Sequence, residues 1–155
     1  MAEKKRQAGE FAVTQGPSRS ALIIYSVLAV VALLGLADAT YLTIAHLTGD
    51  DAVCGSLAGC SIVRGSSYAS VKGIPTASFG GVAYFTVFSL SVLAAFGYPW
   101  VKRPLTLIIG LMLLTSLYLL YLQAFVLHAF CPFCLFSAAL TFFLAGLLLA
   151  VPATR

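Results

Sequence analysis

The chain has 155 residues, of which 61% are hydrophobic and 9% charged, with a formal net charge of +4. A water-soluble domain is about half apolar and about a quarter charged, so these proportions exclude an ordinary soluble fold and define a membrane protein. The basic residues are sparse and mostly flank apolar runs, which argues against a nucleic-acid partner.

Residues 1–20 are polar and hold Lys4, Lys5, Arg6 and Arg19, with a break at Gly16-Pro17. They read as a cytoplasmic polar tail without a core of its own. A span needs about 20 apolar residues, and residues 21–46 meet this with Asp38 as their one acid. The basic head, apolar run and Ala37-Asp38-Ala39 imitate a cleavable signal peptide. Apolar character resumes at Tyr41-Leu42, however, and the polar head is long for such a peptide, so the segment is expected to be retained.

Residues 47–77 form an outer loop containing Cys54, Cys60, Arg64 and Lys72, followed by apolar spans over about 78–96, 105–127 and 131–151. Tyr98-Pro99-Trp100 and Lys102-Arg103-Pro104 suit a membrane interface and a cytoplasmic turn, while a short bend at His128 joins the last two spans as a hairpin. Basic residues collect at both termini and the 98–104 turn, so both termini are expected in the cytoplasm. The resulting domain, residues 21–151, is an all-α bundle of four transmembrane helices whose backbone polar groups are satisfied within helices.

This orientation gathers all four cysteines at the outer, oxidising face, where disulfides persist. Cys131-Pro132-Phe133-Cys134 opens the last span. Pro132 suits the first helical position, and the helix N-terminus favours a thiolate at either flanking cysteine. Two inert disulfides, or a zinc site assembled from the four thiolates, are the competing readings. The spacing of Cys54 and Cys60 is wide for zinc, and a reactive CxxC favours a relay by thiol–disulfide exchange from a mobile outer pair to a fixed membrane pair.

Four spans, a cysteine pair in the first outer loop, the stretch Arg64-Gly65-Ser66-Ser67-Tyr68-Ala69 and the terminal CPFC together resemble the bacterial and archaeal homologues of vitamin K epoxide reductase. The resemblance covers roughly residues 20–150. It implies an inner-membrane oxidoreductase that oxidises a thioredoxin-like, DsbA-like extracytoplasmic protein, supporting disulfide formation, and passes electrons to a membrane quinone (ubiquinone or menaquinone). By the same likeness Cys134 meets the quinone, Cys131 is attacked by the shuttle pair, Cys60 meets the external partner and Cys54 exchanges with Cys131. Ser66 stands at a position where the family commonly has a functional serine. Many bacterial relatives carry a fused thioredoxin-like domain; here the partner is expected to be a separate polypeptide. Thr76 aligns where vertebrate enzymes have Asn, which favours a respiratory quinone over vitamin K epoxide.

Phe79, Gly80 and Gly81 open the second span at the outer face and could leave a slot for a flat ring with Phe79 stacked on it, or simply let helices approach. Phe133, Tyr118 and Tyr121 could line the same slot. Asp38 is expensive within a span and is a candidate proton carrier or a pin between helices. His128 and Arg64 are candidates for thiolate stabilisation and for headgroup contact.

Overall fold

The structure, a computed structural model, describes residues 17–49, 55 and 58–151. Cys54 and most of the polar head therefore lie outside the described residues.

Among the described residues, four helices are long and apolar enough to cross a membrane. Helix α1 spans Arg19–Thr48. The Ser18 hydroxyl accepts the N–H of Ala21 at its start, and Gly49 takes a left-handed conformation (φ 67°) at its end. It runs without a break through Ala37-Asp38-Ala39. At about 45 Å, α1 exceeds a hydrocarbon core of about 30 Å, so its ends must reach the interfaces or the helix must tilt. A short helix α2, Ala58–Gly65, follows, then a hairpin of β1, Ser70–Val71, and β2, Ile74–Pro75, paired antiparallel. Helix α3 covers Thr76–Ala95. A 3-10 turn, Pro99–Val101, leads into α4, Lys102–Tyr121. The last helix, α5, covers Pro132–Ala150 with Pro132 in its first turn.

The bundle closes as a four-sided ring in which α1 packs on α3 and α5, and α4 packs on the same two helices. Its buried seam includes Leu28, Ala32, Tyr84, Val87, Ile109 and Leu144. The opposite faces expose Leu107, Leu114, Phe125 and Leu149; an apolar exterior of this extent suits lipid and not water. Several hydroxyls on the spans are satisfied locally: Thr40, Thr43 and Thr86 each donate to the carbonyl four residues back, at 2.7 Å.

Two close approaches define the ends of the ring. A Cβ on Gly97 would lie 3.4 Å from Pro17, so the start of α1 and the α3–α4 turn share one end. At the other end α2 lies on the segment before α5, and a Cβ on Gly59 would lie 2.7 Å from the Phe130 carbonyl oxygen. Only a residue without a side chain fits there, and the cysteine next to it is thereby pressed against the start of α5.

Candidate functional site: three sulfurs and a membrane cavity

Cys60 and Cys131 are both completely buried and form a small cluster with Val63, Phe133 and Cys134 packed around them. Cys60 is held in a disulfide, whereas Cys131 and Cys134 are free thiols. The Cys60 and Cys131 sulfurs are 3.8 Å apart, close to van der Waals contact and a short displacement from the ~2.05 Å of a bond. The resemblance implies that Cys54 exchanges with Cys131; Cys54 lies outside the described residues. Gly59 brings α2 so close to Phe130 that Cys60 comes into contact with Cys131.

The Cys131 thiol is held well below its ordinary range, to about 6, chiefly because the Cys134 thiol donates a hydrogen bond to it. Burial opposes this, and the backbone N–H groups of Cys134 and Phe133 at the helix start add to it. Where the sequence leaves the anion open to either cysteine, the N–H groups of Phe133 and Cys134 at the head of α5 point back toward Cys131, the residue preceding Pro132, and favour it there. A depressed pKa means that the thiolate persists at neutral pH and is lost as pH falls through about 6. The ultraviolet thiolate absorbance of the dithiol form, taken as the difference between wild type and Cys131→Ser, is expected to titrate near pH 6. A midpoint at or above 8, the range of an ordinary thiol, would refute this assignment.

Cys134, three residues on, lines a cavity of about 680 Å³ to which all four long helices contribute. That volume lies within the ~300–1,000 Å³ typical of ligand sites. Val63 and Arg64 of α2 also line it, together with Ser66 and Tyr68. The outer loop thus does form a short helix over the site. Thr76 ties this cover to the start of α3: its N–H donates to the Ala69 carbonyl at 2.8 Å and its hydroxyl to the Tyr68 carbonyl at 3.0 Å. Along α4 the lining runs from Gln123 down to Ile108, about 22 Å of helix.

Asp38, Ser66, Phe79 and Gly80 all line this cavity. One carboxylate oxygen of Asp38 is buried without a hydrogen-bond partner. The Ser66 hydroxyl donates to the Val63 carbonyl at 2.7 Å, which secures the end of α2. No atom lies within 4 Å of a Cβ built on Gly80, whereas Gly81 faces Ala39 of α1 at 3.8 Å. The two adjacent glycines therefore serve different purposes, open space at the first and helix packing at the second.

Phe133 is not in the lining. Its ring packs on Tyr41, with centroids 5.8 Å apart, beside the Cys60–Cys131 contact. Tyr118 and Tyr121 point outward and are more than half exposed, and His128 is exposed in a left-handed backbone conformation (φ 48°) outside the lining.

Two lining residues escaped the sequence reading. Tyr84 is buried, and its hydroxyl lies 2.9 Å from both the Ser137 carbonyl and hydroxyl and 3.2 Å from the Thr141 hydroxyl. It fastens α3 to α5 one turn beyond Cys134. Gln123 is 3% exposed and accepts the Cys131 N–H at 3.0 Å. A solitary amide in an apolar run was a visible signal for it. Tyr84 had no comparable signal in a chain this aromatic.

A four-span bundle that seats one thiol of a pair against a loop cysteine and the other against an apolar cavity defines a membrane thiol oxidoreductase. A model of the Vitamin K epoxide reductase family matches residues 26–149. The chain belongs to that family, whose members are multi-pass membrane oxidoreductases, generally linked to quinones and to thioredoxin-like partners.

Proposed function

We propose that this protein oxidises an extracytoplasmic thioredoxin-like partner and passes the electrons to a membrane quinone, so sustaining disulfide formation. One observation carries the reading: Cys131 touches Cys60 while Cys134 lines the cavity. The CxxC turn is thereby a two-sided connector, with thiol exchange on one side and a lipid-soluble acceptor on the other.

The proposed sequence begins with a partner dithiol whose thiolate attacks the disulfide of the loop pair Cys54 and Cys60. The partner's second thiol then releases it in oxidised form and leaves the loop pair reduced. Cys60 next attacks Cys131 of the Cys131–Cys134 disulfide, and Cys134 departs as a thiolate on the cavity side. Cys54 attacks Cys60, restoring the loop disulfide and freeing Cys131. The dithiol with Cys60 oxidised is the state described by the structure.

Re-forming the Cys131–Cys134 disulfide releases two electrons. A quinone in the cavity accepts them, together with two protons, and leaves as quinol. The cavity suits such a group, being apolar, long enough along α4 for an isoprenoid tail, and edged by few polar atoms. With Cys131 as thiolate the pair carries only the Cys134 proton, so one more proton is required. Asp38, the carboxyl in the lining, is placed to supply it and to be reprotonated afterwards.

The 98–104 turn, with Lys102 and Arg103, and the start of α1 with Arg19 lie at the end remote from the cysteines. The positive-inside rule then favours cysteines on the extracytoplasmic side.

The test is anaerobic reduction of decylubiquinone by the purified protein in lipid nanodiscs, with dithiothreitol as donor. One quinol per dithiol oxidised is expected. Absence of reduction with both decylubiquinone and menadione would overturn the proposal.

A further inference from the structure

Helix α4 does not end as an ordinary helix. It passes into a π turn, Leu122–Val126, in which the Leu127 N–H reaches back to the Leu122 carbonyl at 2.8 Å and the Ala129 N–H to the Gln123 carbonyl at 3.1 Å. The widened turn is followed by His128 in a left-handed conformation (φ 48°). Single π turns of this kind are strained and often mark functional positions. Here the turn carries Gln123 inward, where the side chain is 97% buried, a value that follows from its 3% exposure.

The orientation of that amide is decided by its neighbour. A backbone N–H can only donate, so the oxygen of Gln123 must face Cys131, to which it is bonded at 3.0 Å. The amide NH2 is then left over. It makes no hydrogen bond among the described residues, and Gln123 lines the cavity that Cys134 also lines. The NH2 is not sealed within the wall but belongs to the cavity lining, so an acceptor seated in the cavity can meet it. The cavity wall is otherwise mostly apolar, and an electron-accepting ring presents carbonyl oxygens.

We propose that Gln123 is a substrate-positioning and polarising residue whose amide NH2 donates to a ring carbonyl of the bound quinone while its oxygen holds Cys131. The proposal rests on the quinone reading given above. One side chain thus registers the acceptor against the CxxC turn: a carbonyl bonded to Gln123 is fixed relative to the backbone of Cys131, and so to Cys134 one turn along. A hydrogen bond to the carbonyl also draws charge from the ring and makes it the better electron acceptor.

The experiment uses the full chain in nanodiscs with decylubiquinone and two variants. Gln123→Leu removes both hydrogen-bonding ends at similar volume. Gln123→Glu, as carboxylate, keeps an oxygen for the Cys131 N–H and offers no donor, so it tests the quinone contact even if the Leu variant fails to fold. Both are expected to raise the KM for quinone roughly 2- to 12-fold, the range of one neutral hydrogen bond, and to weaken equilibrium binding alike. In isotope-edited infrared spectra, one carbonyl band of bound quinone is expected at lower frequency than the other in wild type, and to move upward in Gln123→Glu. The Cys131 thiolate titration is expected to persist in Gln123→Glu. Wild type that binds quinone, with a Gln123→Glu variant of unchanged KM and carbonyl bands, overturns the role of Gln123 alone. Wild type that binds no quinone overturns the reading beneath it.

Discussion

Cys134→Ala is expected to lose quinone reduction by about 10³-fold or more, the scale seen when an enzyme's nucleophile is removed, even with dithiothreitol as donor. Cys134 is the only cysteine sulfur in the cavity lining among the described residues. Cys131 cannot replace it, because it is buried on the other side of the turn against Cys60. The same variant has a second expected property. With its neighbour gone, the Cys131 thiolate can attack the loop disulfide at Cys60, 3.8 Å away, and no second CxxC thiol remains to release the product. A Cys60–Cys131 mixed disulfide should therefore form in exchange with the loop disulfide, and alkylation of the freed Cys54 thiol would trap it for mass spectrometry of unreduced peptides. Cys134→Ala that still reduced quinone would sink the assignment of the cavity-side sulfur. A mixed disulfide joining Cys54 to Cys131 instead would reverse the order of the loop cysteines.

Gly35→Ala is expected to be the most damaging single-methyl change in the bundle. A Cβ at Gly35 would fall within the van der Waals envelope of the Tyr84 ring, and that ring is 1% exposed and tethered through its hydroxyl to Ser137 and Thr141. Overpacking of a tight core commonly costs about 1–3 kcal/mol, roughly a 2–12 °C fall in Tm for a chain of this size. The consequences extend beyond α1. Displacing Tyr84 breaks its contacts with Ser137 and Thr141, which join α3 to α5, and moves a wall of the cavity. Activity should fall along with stability. Gly110→Ala is the control: it lies in α4 with nothing within 4 Å of a built Cβ, and Ala is the better helix former. Equal Tm values for the two variants would show that the Gly35–Tyr84 approach does not hold the bundle together.

Much of the candidate site could be read from the residues. Cys134, Asp38, Ser66, Phe79 and Gly80, each chemically unusual for its setting or sited where a span begins, all stand in the cavity lining. Phe133 was misjudged for the converse reason. In a chain rich in aromatic residues, proximity along the sequence to a reactive thiol says nothing about which side of the turn a ring occupies. Each residue turns about 100° around a helix axis, so Phe133 faces Tyr41 while Cys134, the very next residue, faces the cavity. Gln123 was visible as an amide in an apolar run, but its function was not. That depends on a π turn which nothing in Leu122–Val126 announces.

The sequence by itself determined that this is a four-span membrane protein with a reactive dithiol at the head of its last span. Both conclusions rest on local properties: sustained apolar runs leave lipid as the only compatible solvent, and Pro after Cys131 starts a helix whose free N–H groups favour a thiolate. Only the tertiary structure brings Cys60 against Cys131, turns Cys134 toward the cavity and seats the Gln123 amide at the turn. The physical reason is that these helices are apolar on all sides, so they carry no amphipathic pattern to say which face points inward. Their rotation is set by close approaches such as Gly35 to Tyr84 and Gly59 to Phe130, and those exist only once the helices have packed.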